Sequence, residues 1–315
     1  MSRVFTSPRC SLHAPQGFPE RPGRLEAVIS GAVTAGWERS DCASHEGTGE
    51  AIGMMHSAGY IERFARAVER GDGLLDSADN PLTPDTLESA RAAVDCALEA
   101  ADWVAGGEGR QAMAAVRPPG HHAEFATAMG FCFFGNIAIA ADYLIRRHGA
   151  GRVAVFDFDI HHGNGTQHLL EDRADVFFAS VHQYPFYPGT GSAAERGRGE
   201  GEGSTLNVPL AARTGDAELR MAVEKTVLPA LVDFSPDVLL VSAGFDGWHD
   251  DPIGGWLLSE AAYGWLGEEL SSVAERCCGG RLLSLLEGGY SLDGLESATA
   301  AYLLGQGGHG ISGAL

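Results

Sequence analysis

The segment DFDIHHGNG, residues 157–165, sets Asp157, Asp159 and His161 at alternate positions behind an apolar run, then passes into a second histidine and a glycine turn. In a strand, residues i, i+2 and i+4 share a face, so this spacing predicts that the three emerge together while Phe158 and Ile160 face the other way. A carboxylate and an imidazole on one face can ligate a divalent cation. Asp246, at the end of DVLLVSAGFD (237–246), is placed to add a third ligand from another strand. Two carboxylates and one imidazole leave coordination positions for water and substrate, as a catalytic zinc site requires. Asp157 is then left to orient a histidine. Taken alone, the same acids would serve equally well as a buried ion-pair network or as loop anchors.

Two further segments change the weighting. RPPGHHAE (117–124) places His121 and His122 side by side after a Pro-Pro-Gly turn. Water attacking a carbonyl needs a base for its proton and an acid for the leaving group, and adjacent imidazoles can share that work. Without a metal candidate nearby, the pair would read as a solvated loop. In EGGY (287–290), Gly288 and Gly289 permit unusual backbone angles, so the Tyr290 hydroxyl can reach over a pocket and stabilise an oxyanion. A core aromatic is the plainer reading of Tyr290 by itself. His45, His56, His249 and His309 carry no partner pattern and read as surface or loop residues.

These residues need a frame. Helical periodicity covers 91–105, 133–149, 216–233 and 259–276. Apolar strand-like runs cover RVAVFDFD (152–159), 176–182, 237–246 and 281–290, with a short strand in QAMAAVRPPG (111–120). Strands alternating with helices imply right-handed crossovers and a mostly parallel sheet with helices on both faces. Ligands bind such sheets at the carboxyl ends of the strands, and every candidate above lies at one of those ends. The glycine-rich stretch 189–204 is expected to be a mobile surface loop. No internal repeat or linker divides the chain, so one domain is expected over residues 1–315.

Composition sets outer limits. With 22 basic and 42 acidic residues among 315, the net charge is −20, which repels nucleic acid and suits cationic ligands. Six cysteines without a CxxC pair read as reduced thiols. Neither a signal-like start nor an eighteen-residue apolar run is present, so no membrane association is expected and the cytoplasm is the simplest location.

In order along the chain, HAPQGFPERPGRLEAV (13–28), RPPGHHAE, GFCFFGNIAIAA (130–141), DFDIHHGNGTQ (157–167), SVHQYPFYPGTG (180–191), SAGFDGWHDDP (242–252) and EGGYSL (287–292) resemble the histone deacetylase family, including its acetylpolyamine amidohydrolase and bacterial deacetylase-like members. The resemblance implies an arginase/deacetylase-like α/β fold with an eight-stranded sheet, and removal of an acetyl group from an acetylated primary amine such as acetyl-lysine or an acetylpolyamine. It implies one catalytic Zn2+, with Fe2+ or Co2+ as substitutes, on Asp159, His161 and Asp246. His122 then matches the general base and acid, and His121 its partner supported by Asp157. Tyr290 matches the group that polarises the acetyl carbonyl. Gly130, Phe131, Tyr187 and Gly289 match the channel that grips the substrate, and Asp79 a rim aspartate. Asp157, Asp159, His161, Ser180 and Val181 match the ligands of a structural K+. Acetylpolyamine-type members often dimerise, so the resemblance allows a homo-oligomer.

One position departs from many members. Asn164 stands where they carry an aspartate paired with the second histidine, and class II members carry asparagine there. A neutral amide orients His122 but stabilises its imidazolium less than a carboxylate would. Other short acyl groups remain open as substrates. A ureohydrolase would need carboxylates where this chain has Gly163 and Trp248, and a non-catalytic acetyl-amine binding protein would be expected to have lost His122, Tyr290 or a metal ligand.

Overall fold

The strands of the sheet pair in parallel. In the computed structural model, which describes residues 2–307, the strands are β1 (Ser2–Thr6), β2 (Glu38–Asp41), β3 (Gln111–Ala114), β4 (Val153–Asp157), β5 (Val176–Gln183), β6 (Thr205–Leu210), β7 (Val238–Ala243) and β8 (Leu282–Leu286). They form one eight-stranded sheet in the order β2-β1-β3-β8-β7-β4-β5-β6, and every pairing is parallel. Strands β4, β5, β7 and β8 are buried along their whole length. That is why each reads as a continuous apolar run instead of an alternating one.

The helices fall into two groups. α2 (Thr48–Met55), α3 (Ala58–Arg70), the alanine-rich α4 (Thr86–Ala105) and α5 (Asn136–His148) pack together and against β1, β3, β4, β7 and β8. α1 (Gly23–Thr34), α9 (Glu260–Cys278) and α10 (Leu292–Gln306) form the second group with α7 (Asp216–Ala222) and α8 (Leu228–Phe234). The short α6 (Asn164–Leu170) contacts α5 and β5. No helix among the described residues is long and apolar enough to cross a membrane.

The expected strands and helices are present, with informative differences. β1, β2 and β6 fall outside the predicted segments; β2 is a largely exposed edge strand, ERSD, with no apolar run to betray it. The segment 216–233, expected as one helix, is broken by a π-helical turn at Val223–Val227. Pro229 has no N–H to continue the i→i−4 ladder, so the turn widens just before it. The stretch 189–204 is anchored: Glu195 accepts the N–H groups of Gly191 (3.1 Å) and Ser192 (2.9 Å), and Arg198 pairs with Glu171 at 2.8 Å. His309 lies outside the described residues.

His56 corrects the expectation of a surface residue, because it is buried. Its Nδ1 donates to the carbonyl of Glu124 at 3.0 Å and its Nε2 accepts the N–H of Gly135 at 2.9 Å. Two neighbouring backbone partners are thus served by one neutral ring, a pattern that leaves no sequence signature. His45 is also paired, its Nε2 lying 3.0 Å from Asp102.

Burial lowers the His56 pKa to about 4, against 6.5 for the free side chain. The unfolded chain therefore binds the extra proton between those values, and stability present above pH 6.5 is lost as pH falls toward 4, by about 3 kcal/mol from this group. Urea unfolding from pH 7 to 4.5 should show a shallower decline in His56→Phe than in the parent protein. Equal slopes would rule out this proton linkage.

Candidate active site

Four strands that are neighbours in the sheet, β3, β8, β7 and β4, release the loops that carry His121–His122, Tyr290, Asp246 and Asp159–His161. β4 ends at Asp157, so Asp159 and His161 lie in the following turn and do not share a strand face with it, contrary to the alternation argument. The reason is local. Asp157 Oδ1 accepts the N–H of Asp159 at 3.0 Å, and Asp159 Oδ1 accepts the N–H of His161 at 2.8 Å. Two successive Asx-type turns curl the chain and bring the second aspartate and the histidine round to one point.

Asp246, three residues beyond β7, closes the group. Its Oδ1 accepts the N–H of Ile160 at 3.0 Å, which leaves Oδ2 3.0 Å from His161 Nδ1. Asp159 Oδ1 lies at 3.0 Å from the same nitrogen, and Asp159 Oδ2 accepts the N–H of Gly288 at 2.8 Å. One ligand atom from each of Asp159, His161 and Asp246 lies within 4.8 Å of the others, and all three residues are buried. A Cβ on Gly244 or Gly288 would come closer than 3.0 Å to these carboxylates. Gly288 is therefore required for space; Gly289, at φ +115°, is the one with the unusual backbone angle.

The electrostatics favour a cation. Burial opposes ionisation of His161, yet Asp159 and Asp246 outweigh it and raise the imidazole to about 10. Burial and then the charge of Asp159 push Asp246 up to about 7. Two buried carboxylates converging on one imidazole carry excess negative charge, and this set fits a metal cofactor.

The two adjacent histidines are held differently. His121 Nδ1 lies 3.0 Å from Asp157 Oδ2, and its backbone N–H donates to Glu287 Oε2 at 3.0 Å. Although burial opposes it, Asp159 and Asp157 raise this imidazole to about 10. His122 Nδ1 lies 2.7 Å from Asn164 Oδ1. Burial, followed by the charges of His121 and His161, drives His122 well below the ordinary histidine value. The pair is thus split into one ring that favours its proton and one that resists a second.

A cavity of about 240 Å³ opens above these groups, with His122, His161 and Tyr290 among its lining. Phe131, Phe186, Tyr187 and Ile253 form its apolar walls, and Asp79 lies at its edge. Phe186 stacks on His161 with ring centres 5.2 Å apart. Asp79 Oδ2 accepts from Tyr187 Oη at 2.9 Å and from the Gly130 N–H at 3.2 Å. Tyr290 sits beneath Arg24, whose guanidinium carbon is 4.7 Å from the ring centre and whose Nε donates to the Gly289 carbonyl at 2.6 Å. Burial raises the Tyr290 phenol well above its ordinary value, so it remains a donor.

Sequence reasoning passed over Phe186, Ile253, Arg24, Glu287 and Asp251. Asp251 is the most consequential. Its Oδ2 accepts the N–H groups of Tyr290 (2.7 Å) and Ser291 (3.1 Å), while Oδ1 accepts those of Ile253 (2.9 Å) and Gly254 (3.2 Å). Its signal was the second acid of DDP, a turn-forming residue before proline. On the neighbouring strand Ser180 is in register with Asp157, and its Oγ lies 2.9 Å from His182 Nδ1; Val181 follows within β5.

The histone deacetylase domain profile matches residues 18–305 of this chain. Among curated proteins, the chloroplastic histone deacetylase 10 of Oryza sativa is 40% identical over 79% of this chain, and the match spans 58% of that protein's own length. The histone deacetylase-like amidohydrolase of Pseudomonas aeruginosa is also 40% identical, over 87% of this chain and 72% of that protein. Among solved structures, the acetylpolyamine aminohydrolase of Burkholderia pseudomallei superposes with a TM-score of 0.88 at 31% identity, covering 97% of this chain and 99% of that one. The all-parallel eight-stranded sheet, the buried Asp-His-Asp group at its carboxyl edge and the span of these matches place the chain in the histone deacetylase family.

Proposed function

We propose that this protein is a zinc-dependent deacetylase that hydrolyses the acetyl amide of an acetylated primary amine and releases acetate. The observation that carries the reading is the convergence of Asp159, His161 and Asp246 with a neutral His122 and the Tyr290 phenol around one apolar-walled cavity. A divalent cation held by the Asp-His-Asp group supplies Lewis-acid polarisation of the carbonyl and acidifies water. Fe2+ or Co2+ would satisfy the same nitrogen and oxygen donors.

The chain's own groups perform the remaining work. His122 donates its Nδ1 proton to Asn164, which leaves Nε2 to take a proton from the attacking water and return it to the leaving amine. His121, held protonated by Asp157 and Asp159, sets a positive charge beside it. Tyr290 donates to the oxygen that becomes anionic. Phe131, Phe186, Tyr187 and Ile253 exclude water and grip an alkyl chain, and Asp79 favours a substrate with a cationic or amide N–H group at the rim.

Several features support the finer assignments. Among the described residues no N–H donates to the backbone carbonyls of Asp159 or His161, which with Asp157, Ser180 and Val181 suits a structural K+. All six cysteines are free, which supports a reducing compartment such as the cytoplasm. Gly163 and Trp248 leave a second metal without carboxylates, which disfavours ureohydrolase chemistry.

Acetate release from acetyl-lysine peptides and acetylpolyamines should require metal and cease with a chelator; no release across that panel by metal-replete protein would overturn the reading. Tyr290→Phe should lower kcat about a hundredfold or more while the protein keeps its metal. Near-normal turnover in that variant would remove the phenol from the reaction. Asp246→Ala should lose both bound metal, by elemental analysis, and activity. One full equivalent of retained metal would refute the ligand set.

A further inference from the structure

We propose that Glu124 is a positioning residue that acts through Asn164 to fix the tautomer of His122, an inference that rests on His122 being the base. Asn164 begins α6, and His168 lies one turn later on the same helix. Between them sits the carboxylate of Glu124. Asn164 Nδ2 donates to Glu124 Oε1 at 2.5 Å, and His168 Nδ1 lies 2.8 Å and 3.0 Å from the two oxygens. Glu124 is further fixed by its backbone, whose N–H donates to the Thr127 carbonyl at 3.0 Å and whose carbonyl accepts from buried His56 at 3.0 Å.

The two ends of an amide have nearly the same shape but opposite hydrogen-bonding character. If oxygen faces His122, Nδ1 must carry the proton and Nε2 is free to act as a base. If nitrogen faces it, Nδ1 must accept, the proton moves to Nε2, and the base is blocked. Asn164 Oδ1 alone cannot choose between these states. A carboxylate can: it only accepts, so it holds Nδ2 and turns Oδ1 toward His122. The other partners of Nδ2 are weaker, the His122 carbonyl at 3.3 Å and the Met129 sulfur at 3.6 Å. An aspartate in place of Asn164 would need no such help, because both its ends accept. Glu124 therefore supplies what the neutral amide lacks.

The test uses zinc-loaded protein with 15N-labelled histidine. Glu124→Ala should lower kcat about tenfold or more with KM nearly unchanged, since a lost general base costs about a hundredfold or more and a misoriented amide blocks it only part of the time. Adding Asn164→Asp should restore most of kcat in that background, although Asn164→Asp alone, set against the Glu124 carboxylate, should reduce it. Long-range 1H–15N spectra should show His122 protonated at Nδ1 in the parent and a mixture of tautomers in Glu124→Ala. Unchanged kcat in Glu124→Ala, a loss that Asn164→Asp does not repair, or an Nε2-protonated His122 in the parent would each overturn the inference. An Nδ1-protonated His122 in a parent protein that releases no acetate from any substrate would instead overturn the functional reading and leave the positioning role standing.

Discussion

Two buried carboxylates that face a single imidazole are the constraint around which this molecule is organised. Asp159 and Asp246 follow different strands, and their burial is compensated by His161 and by backbone N–H groups in a set that fits a metal cofactor. Bringing them together demands that β4 and β7 be neighbours and that both end at the same level. It also demands glycine at 244 and 288, because the backbone passes too close to the carboxylates for any side chain. The eight-stranded sheet is thus the means of holding negative charge at one point where water has been largely excluded.

Around that point each polar group is fixed by another with a narrower function. Glu287 shows the pattern. Burial raises this carboxyl to about 7, and it accepts the N–H groups of Gly120 (2.7 Å) and His121 while Ser242 donates to its other oxygen at 3.2 Å. It touches neither the cavity nor the ligand group, yet it ties the histidine loop after β3 to β7 and β8. Arg24 does the same for the tyrosine loop, gripping the carbonyls of both Glu287 and Gly289. These contacts tie the histidine and tyrosine loops to the sheet and to α1.

Much of this was legible in the sequence because burial on both faces of a parallel sheet leaves a plain mark. The runs 152–159, 237–246 and 281–290 read as strands, and strands lie within each of them, at Val153–Asp157, Val238–Ala243 and Leu282–Leu286. The edge strands β2 and β6 were not, since half-exposed segments carry no continuous apolar signal. The alternation argument expects Asp159 and His161 to converge, and they do, but a pair of side-chain turns, not the strand pleat, gathers them. Arg24 was illegible because it acts on the backbone of Glu287 and Gly289, more than two hundred and sixty residues away, and Glu287 because it holds the Gly120 and His121 N–H groups more than one hundred and sixty residues away; such contacts leave no local spacing.

Asp251 joins two parts of the site that otherwise look independent. The same carboxylate holds the backbone at Ile253 and at Tyr290, both of which line the cavity. On the proposed function, a bulky acyl or amine group that pushed the Ile253 wall outward would drag on the anchor of the phenol. In the proposed reaction, steric fit and oxyanion alignment would be mechanically linked, so a poorly fitting substrate would be penalised in turnover even when it binds.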